Sequence, residues 1–251
     1  MTDAPIDIRG LSASYGKRTI FTGLDLTVAP GEIFGLIGLN GVGKTTMIKA
    51  LLGLGGGQGD VRMFGQSTKA TASRAKLAYL PEKFLPSHLL KGWEFLALTL
   101  AYYGLSLDRE RAVDLARQLD FDPAALNRQG RTYSKGMGQK LGLIGTMLTG
   151  LPLLVLDEPM SGLDPRARIL LKDRLLEYRD SGNTVFFSSH ILADIEEICD
   201  RIAIMHGGRL IYLGKPADLV QRFGALNLER AFLDAIGESE RPGPMSNVLK
   251  L

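Results

Sequence analysis

The run Gly38-Leu39-Asn40-Gly41-Val42-Gly43-Lys44-Thr45 constrains this chain more than any other stretch. It fits G-x-x-x-x-G-K-[ST], a loop whose backbone folds back around an anion and points its N–H groups inward. Glycine is needed because close approach and unusual φ angles exclude a Cβ. The setting agrees. Glu32-Ile33-Phe34-Gly35-Leu36-Ile37 reads as a short buried strand, and Thr46 to Leu52 as a helix with Met47, Ile48, Leu51 and Leu52 at core spacing. The helix N-terminus adds partial positive charge near the anion. Gly38, Leu39, Asn40, Gly41, Val42, Gly43, Lys44, Thr45 and Thr46 are therefore the candidate phosphate-binding residues. Lys44 can reach the β- and γ-phosphates of a nucleotide, and the Thr45 hydroxyl can ligate Mg²⁺.

The rest of the chain is compatible with such a core. Its 251 residues are 45% hydrophobic and 23% charged, enough to bury a sizeable interior. A net charge of +3 does not by itself argue for nucleic acid or an anionic membrane. Cys199 is the single cysteine, so an intrachain disulfide is excluded. Met1 to Asp7 lacks the basic start and apolar run of a signal peptide. Leu141 to Leu156 is too short to span a bilayer and is interrupted by Gly142, Gly145, Gly150 and Pro152. It reads as a packed helix followed by a buried strand, so a membrane role requires a separate membrane-spanning partner.

Residues 6 to 34 read as short strands, with turns at Tyr15-Gly16-Lys17 and Ala29-Pro30-Gly31. Asp60 to Gly65 reads as another strand and Leu77 to Leu80 as a buried one. From Leu89 to about Leu148 the period is helical. Trp93, Leu96, Leu100 and Tyr103 form one core face, Val113, Ala116 and Leu119 a second, and Asp122-Pro123 opens a short third helix. Leu153 to Leu156 is a continuous apolar run, as in a parallel strand covered on both faces. A helix from Pro165 to about Asp180, a strand from Thr184 to Phe187 and a helix from Ile191 to Cys199 follow. Ile202 to Met205 and Arg209 to Tyr212 flank Gly207-Gly208, a hairpin signal. Arg241 to Ser246 reads as a flexible tail.

Asp157-Glu158 ends the apolar strand. Two adjacent carboxylates there are costly unless they meet cations or reactants, and open α/β sheets bind ligands at the carboxyl ends of their strands. Asp157 is assigned to Mg²⁺, directly or through water, and Glu158 to activation of a water. An acidic helix cap near Pro159 is the alternative.

With these residues in order, the chain resembles the ATP-binding cassette (ABC) ATPases from residue 6 to about 225. Tyr15 stands where the family places an aromatic that stacks on adenine. Ser161-Gly162-Leu163-Asp164 resembles its D-loop, and Ser188-Ser189-His190 its switch histidine. Tyr133-Ser134-Lys135-Gly136-Met137-Gly138-Gln139-Lys140 resembles the signature L-S-G-G-Q, with Ser134 and Gly136 at positions that contact the γ-phosphate from an opposite subunit. Lys135 replaces a glycine and Met137 the glutamine. Glu82, in Tyr79-Leu80-Pro81-Glu82, replaces the Q-loop glutamine that senses Mg²⁺ and the water. These variants, and Leu226 to Leu233, look like the branch that serves small exporters with separately encoded permeases.

The resemblance implies an α/β fold: a P-loop NTPase, RecA-like core with an N-terminal antiparallel β subdomain and an inserted α-helical signature subdomain at about 87–150. The ATPase domain would span 1–225, followed by a C-terminal helix and flexible tail over 226–251. It implies ATP and Mg²⁺ as ligands, with Glu158, His190 and Glu82 catalytic and Thr45, Glu82 and Asp157 at the metal. It also implies a head-to-tail dimer with a second ATP-binding subunit, identical or related. An integral membrane permease would receive the region from Glu82 to Trp93, where Phe84, Leu85, Leu89 and Leu90 are the apolar candidates. The location would be the cytoplasmic face of the inner or plasma membrane. A soluble ABC ATPase working on nucleic acid or ribosomes is the alternative, and such proteins often carry a second cassette or long coiled coil that this chain lacks.

Overall fold

A computed structural model describes residues 3–241. Two sheets form its frame. The first is antiparallel and built from β1 (Ile6–Tyr15), β2 (Arg18–Val28), β4 (Gln58–Met63) and the two-residue β5 (Gln66–Ser67), in the order β2-β1-β4-β5. The region read as several short strands is thus one long hairpin, Tyr15 pairing with Arg18 across its turn. Register shifts along β1 accommodate its length and twist.

The second sheet contains β3 (Ile33–Ile37), β6 (Leu77–Leu80), β7 (Leu153–Asp157), β8 (Thr184–Ser189), β9 (Arg201–His206) and β10 (Arg209–Gly214). Its order is β10-β9-β3-β8-β7-β6, parallel except for the β9–β10 hairpin. Strands β3, β7 and β8 are buried at every position because both faces are covered. Their side chains alternate between two cores. Phe34, Leu36, Leu153, Val155 and Phe186 join the interior shared with the first sheet and with α1 (Lys44–Leu51). Ile33, Ile37, Leu154, Leu156, Val185 and Phe187 face the interior covered by the later helices.

Three of those helices lie between β6 and β7: α2 (Gly92–Tyr102), α3 (Arg109–Gln118) and α4 (Lys135–Leu148). Both α2 and α3 pack on α4, which explains why α4 is buried from Gly138 to Leu148. Trp93 and Tyr103 pack against this core, as expected, and the Arg109 guanidinium lies 5.0 Å from the centre of the Trp93 ring. Asp108 caps α3 by accepting from the N–H groups of Glu110 and Arg111. The helix expected after Asp122 is a single 3₁₀ turn, Pro123–Asn127, with Asp122 accepting from Ala124 N–H.

The remaining helices are α5 (Pro165–Asp180), α6 (Leu192–Ile198), α7 (Pro216–Phe223) and α8 (Leu228–Glu240). The sequence reading missed α7, whose Pro216 sits in the first turn and whose C-terminus is closed by Gly224 at φ +58°. Several boundaries also moved by a few residues: α1 begins at Lys44 rather than Thr46, β4 runs from Gln58 to Met63 rather than from Asp60 to Gly65, β8 continues to Ser189 and β10 to Gly214. Residues 242–251, the larger part of the expected tail, lie outside the described residues.

Candidate functional site

The order of the second sheet assembles the site. Strands β3, β8, β7 and β6 are neighbours, and their carboxyl ends lead into Gly38, His190, Glu158 and Glu82 respectively. Residues far apart in sequence therefore share one rim, as expected of an open α/β sheet. They border a cleft of about 300 Å³, lined by Leu39, Asn40, Gly41, Gly43, Lys44, Thr45, Thr46, Glu82, Glu158, Ser161 and His190, with Arg18 and Ile20 from β2.

The phosphate loop is built as its glycines require. Gly41 has φ +80° and Gly43 φ +115°, and a Cβ on Gly43 would stand 2.7 Å from the Ile20 side chain. Gly43 occupies the N-cap of α1 and no side chain caps the helix. The first N–H groups of α1 are thus free of side-chain acceptors, with no acidic residue in the first turn.

Lys44 is 7% exposed and donates from Nζ to Gly38 O at 2.7 Å. The same Nζ is 3.1 Å from Glu158 Oε1. That contact is ionic but out of line for a hydrogen bond, so Oε1 has no donor. On the other side of the carboxylate, His190 Nδ1 lies 2.7 Å from Oε2. Glu158 has φ +51°, a costly conformation for a side chain with a Cβ, and Ser188 Oγ accepts its N–H at 3.0 Å. An ion pair and one hydrogen bond at the carboxylate, and a second hydrogen bond at the strained backbone, thus fix Glu158, which is 6% exposed.

Asp157 is completely buried. Ser188 Oγ donates to its Oδ1 at 2.5 Å, while Oδ2 has no partner. A buried carboxylate oxygen without a donor is costly unless a cation or water reaches it. The neighbourhood is already negative: burial first, then the charges of Asp157 and Glu82, push the Tyr79 hydroxyl up to about 12. Among the described residues no cluster of three or more His, Cys, Asp or Glu side chains could hold a metal. A magnesium ion does not require one, because it takes one or two carboxylates, phosphate oxygens and water. The unpartnered Asp157 oxygen, which lies beneath the cleft lining, and the Thr45 and Glu82 oxygens in that lining are donors of the kind such an ion takes.

Other expected residues lie outside this cleft. Tyr15 ends β1, is 60% exposed and does not line it. Ser134 caps α4, accepting from Met137 N–H at 3.2 Å, and Gly136 follows in the first turn. Arg18 and Ile20 line the cleft although the sequence reading passed over them. Their only signal was position, just beyond the Tyr15-Gly16-Lys17 turn. Ser188, read merely as a neighbour of His190, proves to join both carboxylate residues. Its hydroxyl chemistry is common, and only the pairing of β7 with β8 sets it opposite Asp157.

Comparison with known proteins identifies the family of the chain. Residues 21–161 match the model of the ABC transporter family. An uncharacterized ABC transporter ATP-binding protein of Nostoc sp. is 41% identical over 210 residues, 81% of this chain and 62% of that protein. This chain thus spans less than two thirds of that relative's length. The Nod factor export ATP-binding protein I of Paraburkholderia xenovorans is 33% identical over 227 residues, 88% of this chain and 74% of that protein. A solved ATP-binding subunit of an ABC transporter superposes with a TM-score of 0.85 at 32% identity, covering 92% of this chain and 98% of that one. The chain belongs to the ABC transporter ATP-binding family.

Proposed function

We propose that this chain is the ATP-binding subunit of an ABC transporter, hydrolysing ATP to drive export through a separate membrane permease. The observation that carries the reading is the meeting of Lys44, Glu158 and His190 at one cleft. In this reading Gly38 to Thr46 cradle the phosphates, and Tyr15 offers its open ring to the adenine.

Phosphate arriving at the loop competes with Glu158 for the Lys44 ammonium. As Lys44 turns to the phosphate, Glu158 Oε1 loses its ionic partner and is free to accept a proton from an attacking water. His190 keeps the other oxygen engaged through Nδ1 and so orients the base. Mg²⁺ held by Asp157, Thr45 and Glu82 would neutralise charge on the phosphate oxygens. Ser134 and Gly136 lie outside their own chain's cleft, and we assign them to the cleft of a second ATP-binding subunit in a head-to-tail dimer.

The ATPase domain takes in residues 1–225, with the helical insertion at about 87–150 and the C-terminal helix beyond. Among the described residues no helix is long and apolar enough to cross a membrane. The chain would then reach the cytoplasmic face through its permease. Leu85 and Leu89, 73% and 81% exposed, suit that contact. Phe84 does not, because it packs 5.4 Å from the Phe95 ring and against Gly142. The export assignment follows the Nod factor export relative and the Glu82, Lys135 and Met137 variants.

The test is release of inorganic phosphate from ATP by the full chain, with magnesium and after its chelation. Magnesium-dependent release that disappears in Lys44→Ala is the expected result. Equal release by the native chain and Lys44→Ala would remove the cleft from the reaction.

A further inference from the structure

The turn that carries Glu158 is held from outside. Within it, Glu158 O accepts from Ser161 N–H at 3.0 Å and Met160 O from Leu163 N–H at 3.2 Å. Pro159 O, between them, accepts instead from Gln139 Nε2 at 3.1 Å. Gln139 lies on α4, is 4% exposed, and stands five residues after Ser134. A polar side chain this deeply buried beside a carbonyl makes a bond that no solvent competes for.

Further contacts join the same two segments. Gly136 approaches Gly162 O so closely that a Cβ would stand 2.9 Å from it. The stem of Lys135 lies over Gly162, at ordinary to tight contact with the position of an added Cβ. The first turns of α4 therefore rest directly on residues 159–162, with the Gln139 amide as the one buried side-chain hydrogen bond among these contacts.

We propose that Gln139 is a positioning residue for Glu158, tying the helix that begins at Ser134 to the turn that carries the base. The inference rests on the ATPase reading above. Glu158 is held at φ +51°, so its placement depends on the surrounding turn. Pro159 is its covalent neighbour, and a shift of that carbonyl moves the Glu158 backbone. Through the same bond, any displacement of Ser134 by an opposing subunit is passed to the base. Gln139 itself touches neither nucleotide nor water in this account.

Gln139→Met keeps the length and bulk of the side chain and removes the donor. Two measurements on the full-length chain test it. In steady-state ATP hydrolysis, kcat should fall about tenfold or more, while KM for ATP stays within about twofold, because the cradle at Gly38 to Thr46 is untouched. In hydrogen exchange, the amides of Ser161 and Leu163 should exchange faster, while those of β7 and of α4 beyond Leu141 keep native protection. Native kcat in Gln139→Met, or a KM rise that accounts for the whole loss, overturns the proposal. So does unchanged exchange at Ser161 and Leu163. If Gln139→Met does not fold, Gln139→Leu carries the same test, since it also removes the donor to Pro159 O and fills the site with an apolar side chain. Absence of hydrolysis by the native chain would count against the ATPase reading, while the exchange data would still decide the strut.

Discussion

The floor of the cleft and the Ser134 end of α4 manage polar groups in opposite ways. Beneath the phosphate loop, Lys44, Asp157, Glu158 and Ser188 are all at least nine-tenths buried, and two carboxylate oxygens have no hydrogen-bond donor. At the start of α4, Ser134 and Lys135 are exposed, and the cap is an ordinary helix cap. The first region holds charge in an environment that demands a cation or a reactant. The second is satisfied in water, and the role we propose for it requires another surface. A buried unsatisfied site announces its chemistry, whereas an exposed satisfied one does so only through its neighbours.

The largest effect should come from Glu158→Gln. Turnover should fall by about 10² to 10⁴ with ATP binding retained, measured by phosphate release and by equilibrium binding of ATP. Near-native turnover would remove Glu158 as the base and, with it, the chemical half of the contrast. Next is Ser134→Arg in that Glu158→Gln background. It should abolish the ATP-dependent dimer that Glu158→Gln alone is expected to form, measured by size-exclusion chromatography, while ADP affinity of the single chain stays native. A persisting dimer would make the α4 end a plain cap.

Paired alanine substitutions probe the contrast through stability. Ser188→Ala strips a buried donor from Asp157 Oδ1 and an acceptor from Glu158 N–H, and should cost about 1–3 kcal/mol in urea unfolding. Ser134→Ala removes one exposed cap and should cost about 1 kcal/mol or less. Equal costs would dissolve the distinction between the two regions. The smallest expected effect is Tyr15→Ala. It should raise KM for ATP by no more than about threefold, with kcat unchanged, because an exposed ring contributes stacking alone.

Much of the cleft was legible in the sequence because its constraints are local. Gly41 and Gly43 are needed for positive φ, and Asp157-Glu158 stands out by ending an apolar strand. The strand–loop–helix order around Lys44 follows from periodicity alone. The helix expected from Pro165 to about Asp180 matches α5, and the structure adds Asp164 as its cap. What escaped depended on distant partners. Arg18 reaches the cleft only because the β1–β2 hairpin is folded over it. The short helix α7 is amphipathic, yet its apolar residues are few and its core face is decided by packing on α8.

A glycine-rich loop at the end of one strand and two carboxylates at the end of another are readable from short stretches of residues. Glycine stereochemistry and hydrophobic period act over a few residues and need no fold to be read. Which groups meet is set by strand order and helix docking across the whole fold. The order β3-β8-β7-β6 sets Lys44, His190, Glu158 and Glu82 on one rim, and α4 docks Gln139 against Pro159. Those contacts join positions up to about 150 residues apart, and their geometry comes from strand pairing and core packing rather than from any local motif.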